Sequence, residues 1–432
     1  MDINELKKIA ADCLDRLVAA GADEAKCLVC SGYSHELNAE NNEWSLMRTC
    51  FREAVTLTAH IGKKRGTASL NSFDPEAIEE GVRECIEAAG NADGDEGNVL
   101  AEKTENRDFS GGAKEPDMDR FFDRLREYID DVRKGREQLN IESLTAEYSF
   151  SRGVLANTKG VCQSEENGEY SFGIMYSAHD GDRTTSFNSV GARTDTLDRP
   201  FIEYADQKRM LDACIEELDA RPVEEKFVGT AVFMPSCAEE FIDTAAGLFA
   251  STGCLVDKTS VWLEKLGEKV ASDALTVAFD PFDSRVVCGE RFTDDGYLSE
   301  PFSFIENGVL KQFLVGLYGA EKTGFGRAPN SSGSMIITPG EKSLDEIVAG
   351  IDKGILVGRF SGGAPAQNGD FSGVAKNSFL ISGGRLAGAV TETMISGNIA
   401  EMLMNITDIS RETVCDGGSV IPYVAVSGIT VS

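Results

Sequence analysis

The sequence predicts an α+β fold, with an N-terminal helix-and-sheet half followed by a predominantly antiparallel β C-terminal domain. Three observations predict it. Apolar residues recur at three- and four-residue spacing in a few well-punctuated stretches of the first half. Period-two alternation with glycine turns dominates beyond residue 225. At 432 residues, 41% of them hydrophobic, the chain is long enough for two or three domains with sizeable cores.

Leu6, Ile9, Ala10, Cys13, Leu14, Leu17 and Val18 share one helical face and Gly21 supplies a stop, so a helix is expected near 4–20. Alternating runs at 25–33 and 54–61 read as strands, the second ended by Gly62. Asp74-Pro75 opens a helix over 74–89 that carries Ile78, Val82, Cys85, Ile86 and Ala89. This is an N-terminal α+β domain, 1–90. Residues 91–116 turn polar and glycine-rich (Asp93-Gly94-Asp95-Glu96-Gly97, then Gly111-Gly112), the composition of a linker.

A central α+β segment, 117–224, follows. It starts with a helix over 117–134 whose face bears Met118, Phe121, Phe122, Leu125, Ile129 and Val132. Strand-like runs fill 145–190, and a fourth helix ends at Arg221-Pro222. The C-terminal β-rich domain, 225–432, begins with a strand at 230–234 and a helix opened by Pro235-Ser236, where Ser236 and Glu239 have capping-box spacing. Asn307-Gly308 and Gly383-Gly384, each between apolar residues, predict two-residue hairpin turns.

Seventy-two acidic against 42 basic residues give a formal charge of −30, which repels phosphate backbones and anionic lipids. Direct binding of nucleic acid or membrane is not expected. No run approaches the roughly 18 apolar residues of a membrane span, and the start lacks a charged-then-apolar leader. Eleven cysteines without framework spacing fit reduced thiols, so a cytoplasmic protein is expected. The CxxC of Cys27 and Cys30 lies in a strand-like run rather than at a helix start, against a redox role.

The three histidines give little to catalysis. His35-Glu36 begins like a zinc-protease helix but no second histidine follows, and His60 and His179 read as ordinary polar residues. Dinucleotide, P-loop and GxSxG nucleophile motifs are absent. The loop 361–370 reads as a flexible or ligand-covering segment. Glu239, Glu240 and Asp243, with Cys237, read as capping and solvated residues of one helix rather than as a metal site.

Several motifs occur in order along nearly the whole chain: Ala20-Gly21-Ala22-Asp23-Glu24-Ala25, Gly66-Thr67-Ala68-Ser69, Pro281-Phe282-Asp283-Ser284, Asp294-Asp295-Gly296, Ile305-Glu306-Asn307-Gly308, Gly369-Asp370-Phe371-Ser372 and Ile395-Ser396-Gly397-Asn398. With these the chain resembles the TldD/PmbA family, labelled modulator of DNA gyrase and associated with metal-dependent proteolysis. In the TldD-type branch the resemblance implies an HExxxH helix and a later cysteine binding zinc. Here the matching positions are Phe241, Ile242 and Ala246, and only Cys415 keeps its type. Phenylalanine and alanine cannot ligate zinc and isoleucine cannot act as a base.

The chain thus resembles the PmbA/TldE-type branch. That implies a non-catalytic subunit of a cytoplasmic peptidase for unfolded or flexible peptides. No cofactor is expected in this chain, and zinc is expected in a TldD-type partner; the dimer is with that subunit or with itself. Asp294, Asp295, Gly296, Gly369, Asp370, Gly397 and Asn398 are the groove candidates. Two other functions stay open: an independent peptidase using Cys237, Glu239, Glu240, Asp243 or Cys415, and a gyrase-associated binding protein.

Overall fold

The computed structural model describes residues 1–41 and 43–432. In the first half the chain runs α1 (Ile3–Ala19), β1 (Glu24–Glu40), β2 (Glu43–Ile61), β3 (Lys64–Leu70), α2 (Pro75–Asn91), β4 (Asp108–Gly112), α3 (Met118–Arg133), β5 (Leu139–Asn157), β6 (Cys162–Asp180), β7 (Arg183–Thr184), β8 (Asn188–Thr194) and α4 (Gln207–Glu216). The three expected helices stand where the periodicity put them. Asp2 caps α1 through a reciprocal box with Glu5, and the apolar stripe Leu6, Ala10, Cys13 and Leu17 is buried.

All strands of this half join one sheet in the order β3-β2-β1-β5-β6-β4, with β7 and β8 also on β6. Only β4 runs parallel to its neighbour. The helices cover one face. Cys27, Val29, Val55, Leu57 and Ala59 meet α1 and α2 in one core, while Leu37, Tyr148 and Phe172 meet α3 and α4 in another. Gly66 is needed for the first of these cores, because a Cβ there would lie 2.1 Å from the Cys85 carbonyl oxygen of α2.

Two expectations about organisation are corrected. Residues 1–90 and 117–224 do not form separate units, since β1 pairs with β5 over the whole of 26–40 against 143–157. Nor is 91–116 a linker: Leu100 and Ala101 are buried, and β4 lies along β6. One of its glycines serves close backbone approach rather than flexibility. Gly112 adopts φ +63°, and a Cβ there would lie 1.8 Å from the Gly168 oxygen.

The second half comprises β9 (Phe227–Phe233), α5 (Pro235–Ala250), α6 (Thr252–Val256), β10 (Val277–Phe279), β11 (Phe302–Glu306), β12 (Val309–Leu310), α7 (Leu317–Thr323), β13 (Met335–Ile337), α8 (Leu344–Ala349), β14 (Lys353–Val357), β15 (Arg359–Gly362), β16 (Asp370–Lys376), β17 (Ser378–Ser382), β18 (Arg385–Val390), β19 (Thr393–Asn398), α9 (Ile399–Met404), β20 (Ile406–Cys415) and β21 (Val420–Val431). Its strands form one extended, mostly antiparallel sheet with β21 and β9 at the centre, and α5 is sunk into the main core. Both expected hairpin turns form. Asn307 and Gly308 (φ +48° and +78°) join β11 to β12, and Gly383 and Gly384 (φ +55° and +75°) join β17 to β18.

The second half packs on the sheet face of the first half that its helices leave free. Lys26 Nζ donates to the Asp294 carbonyl oxygen at 3.0 Å and Gln163 Nε2 to that of Gly296 at 3.2 Å. Leu28, Leu155 and Val161 form a small apolar seam with Phe292, Tyr297 and Leu317. No described helix is long and apolar enough to cross a membrane.

Candidate functional site

The helix α5 is the natural starting point, because it holds three of the four positions that match a zinc site. Its entry differs from the expected capping box: Met234 is the N-cap, with no side-chain bond to the first turn, and Pro235 supplies the fixed φ of the first helical position. Ser236 therefore sits inside the helix, two residues too late to cap it.

Phe241, Ile242 and Ala246 all face the core. The Phe241 ring lies 4.9 Å from Phe233, 5.2 Å from Phe360 and 5.1 Å from Phe371, centroid to centroid. This closed aromatic cluster joins α5 to β9, β15 and β16. Its atoms carry no lone pair that a zinc ion could use, so the donor set does not fit the metal. Cys415 ends β20 opposite Val420; its thiol donates to the Arg285 carbonyl oxygen at 3.5 Å, and burial raises its pKa. No group of three or more His, Cys, Asp or Glu among the described residues is arranged to hold a metal ion.

The groove candidates fall into two groups that flank α5. Asp370 and Asn398 are paired across β16 and β19, where Asn398 Nδ2 donates to Asp370 Oδ1 at 2.9 Å. Asn398 also caps α9 by accepting from the Glu401 amide. Gly397 lies against the Phe371 ring, and Gly369 (φ +93°) lies so close to Phe249 of α5 that a Cβ would sit 2.9 Å from its ring. Asp294 and Asp295 border a second hollow of about 360 Å³ with Ala246 and Gly247 of α5. Asp295 Oδ2 there accepts from the Leu317 amide at the start of α7, and Gly296 packs on Val161 of the first half.

Between the halves opens a cleft of about 460 Å³ that no sequence pattern singled out. Met175 and Val190 come from the first sheet, Met210 from α4, and Met234, Ile421 and Tyr423 from the second half. Its polar groups are mainly acids and hydroxyls: Thr145, Asp206, Ser236, Glu239, Asp416 and Ser419. Asp206, in the left-handed region at φ +53°, accepts from the Tyr423 hydroxyl at 3.0 Å and so joins the two halves across the cleft. Asp416 accepts from the amides of Gly418 and Ser419, and its carbonyl receives the Arg193 amide at 2.7 Å.

Glu239 is not the solvated capping residue expected. It is half-buried at the cleft wall and its carboxyl is pushed up to about 7, chiefly by burial, against the opposing hydrogen bond with Ser419. Asp416 and Asp243 add like-charge repulsion. Glu240 and Asp243 do reach solvent, although the protein around them also raises both. Cys237 is buried away from them and burial holds its thiol protonated, so it cannot act as a nucleophile.

The histidines stay outside this region. His35 and His60 lie on strands, His60 buried with Nδ1 unpartnered. His179 Nε2 lies 2.8 Å from Ser177 Oγ, which also bonds Glu142 at 2.5 Å. This is not a relay, because Ser177 rather than the imidazole occupies the middle position and the one nitrogen faces both partners.

Residues 228–432 match the family model of the PmbA/TldA metallopeptidase C-terminal domain. The metalloprotease MJ0996 of Methanocaldococcus jannaschii is 23% identical over 433 residues, covering 92% of each chain. A metalloprotease PmbA homolog of Haemophilus influenzae is 23% identical over 396 residues, 87% of this chain and 86% of that one. TldE from Thermococcus kodakarensis has the same fold, with a TM-score of 0.83 at 22% identity over 98% of this chain and all of the other. The family model over residues 228–432 and the likenesses along nearly the whole chain agree: the chain carries the C-terminal domain of the TldD/PmbA family.

Proposed function

We propose that this chain is a PmbA/TldE-like, non-catalytic subunit of a cytoplasmic TldD-type metallopeptidase acting on unfolded or flexible peptides, with zinc carried by a homologous HExxxH subunit. One observation carries the reading: Phe241 closes an aromatic cluster with Phe233, Phe360 and Phe371 at the position where the family's first zinc ligand would stand. A helix so committed to the core has no imidazole to offer and no basic glutamate beside it.

In this reading the chain's own contribution is to hold substrate. The apolar walls of the cleft between the halves accept side chains of an extended peptide, and Asp206, Glu239 and Asp416 favour an amine or a cationic side chain over an acidic one. Asp370 and Asn398, bonded to each other, keep the β16 end in place beside α5.

The test is cleavage of an unfolded peptide by this chain, by a TldD-type subunit with an intact HExxxH, and by their mixture, each with and without a chelator. Activity confined to the mixture and abolished by mutating the partner's HExxxH supports the proposal. Chelator-sensitive cleavage by this chain alone defeats it.

A further inference from the structure

The link that enters α4 is strained. Ala205 and Asp206 both take left-handed backbone, φ +51° and +53°, although neither is glycine. A Cβ makes that region unfavourable, and alanine has no polar group to offset the cost locally. Position 206 is also the N-cap of α4. Aspartate is among the best residues there, because at extended backbone its carboxylate accepts from the second or third helical amide. Asp2 and Asp117 make that bond at the starts of α1 and α3. Asp206 does not, so the amides of Lys208 and Arg209 receive nothing from it.

The carboxylate is turned instead to the other half of the molecule. Tyr423 of β21 donates its hydroxyl to Asp206 Oδ2 at 3.0 Å, its one hydrogen bond among the described residues. The tyrosine is 3% exposed, with the Arg209 guanidinium 5.2 Å from its ring centroid. A phenol so buried is costly to leave unpaired, so Tyr423 can release Asp206 only to another acceptor. Both residues border the cleft between the halves, where such an acceptor would enter.

We propose that Asp206 is a displaceable plug, holding on Tyr423 the place of a main-chain carbonyl of an extended peptide. A peptide entering the cleft offers a carbonyl oxygen to the Tyr423 hydroxyl. Asp206 then returns to extended backbone, and its carboxylate accepts from the amide of Lys208 or Arg209. The exchange leaves no donor unpaired: the phenol changes acceptor, a helix amide gains one, and the left-handed strain is released. Tyr423 thereby reads backbone rather than side chain, the recognition suited to a peptide of any sequence. Asp206 stays at the rim of the cleft in both positions, so the preference for cationic groups is kept. The peptide as trigger rests on the reading of the cleft as the substrate-holding region. The two positions of Asp206 do not, because removing the Tyr423 hydroxyl should free the carboxylate with no peptide present.

Amide exchange of the full chain, resolved at Lys208 and Arg209, tests it. In Tyr423→Phe without peptide, one of these amides is expected to exchange about fivefold more slowly, the effect of one added cap, and Tyr423→Phe/Asp206→Ala is expected to lose the slowing. Unchanged exchange in Tyr423→Phe, or slowing that survives Asp206→Ala, overturns the two-position carboxylate. In the parent, a saturating unstructured Gly-Ser-Ala peptide should produce the same slowing. By fluorescence anisotropy the labelled peptide should bind Asp206→Ala roughly fivefold more tightly than the parent, with no gain from Asp206→Ala in the Tyr423→Phe background. Slowing in Tyr423→Phe but none on adding peptide overturns the carbonyl as trigger. A full response to peptide from a chain whose mixture with a TldD-type subunit cleaves nothing supports the plug and defeats only the peptidase reading.

Discussion

Replacing Phe241 by alanine is expected to damage the C-terminal half severely, although the same position in an active relative would hold a polar ligand. The side chain is 6% exposed and meets three other rings at 4.9 to 5.2 Å. Those rings belong to three different strands, β9, β15 and β16, whose ladders fix their positions. The cavity therefore collapses poorly, and a loss of about 3–5 kcal/mol is expected for a buried phenylalanine. For a unit of about 150–250 residues each kcal/mol lowers Tm by roughly 2–4 °C, so the shift is about 6–20 °C. Differential scanning calorimetry reads it directly, with Phe241→Leu as a milder companion that keeps most of the volume. A shift under about 2 °C for Phe241→Ala, with near-ultraviolet dichroism unchanged, would refute the idea that this face of α5 is committed to packing.

Three more outcomes follow from the geometry. Glu239 and Glu217 both have carboxyls raised from 4.5 to about 7 by burial, so the folded chain keeps protons that the unfolded chain has released. Stability is then highest below pH 4.5 with respect to these groups and falls as pH rises through about 7; Glu239→Gln and Glu217→Gln should flatten a plot of Tm against pH, and an unchanged slope counts against the burial argument. Gly66→Ala forces a Cβ against the α2 backbone and should cost about 1–3 kcal/mol or more, seen as faster amide exchange across α2; normal protection there contradicts the packing. Purified protein should carry no stoichiometric zinc by elemental analysis, before or after Cys415→Ala; one zinc per chain lost in that variant would reverse the reading of the donor set.

The helices α1, α2 and α3 were legible because each has a strong apolar stripe and punctuated ends, whereas the short α6, α7, α8 and α9 were not, and α4 ends at Glu216 rather than at Arg221. The two glycine hairpins were legible for a different reason, since positive φ at both turn residues leaves few residue choices. The β4 segment was not. Gly111-Gly112 reads as flexibility until Gly168 is known to lie against it, and that neighbour is more than fifty residues away. The same limit hid the cleft: Met175, Asp206 and Tyr423 come from segments far apart in the chain, and none breaks its local pattern. The Gly173 and Gly191 pair was the one available signal. The two glycines face each other across β6 and β8, where the backbones approach too closely for a side chain at Gly191.

The assignment of Glu239 shows why residue type and spacing mislead at such a place. Three residues after a serine near a helix start, a glutamate reads as a cap, and in isolation that reading has good physical support. With Pro235 as the first helical residue the cap moves back by two residues to Met234, so Ser236 is no longer the cap and Glu239 points to the junction of the two halves. There the loop between β20 and β21 supplies Asp416 and Ser419 against it, held in turn by the Arg193 amide of β8. A carboxyl whose protonation depends on that closure reports on the fit of one half against the other. A cationic ligand that enters the cleft and ion-pairs with Glu239 stabilises its charged form, which lowers its pKa and releases a proton. Proton release on adding a cationic peptide, absent with Glu239→Gln and absent with an acidic peptide of the same length, would tie substrate binding to this cleft rather than to the hollow at Asp294 and Asp295.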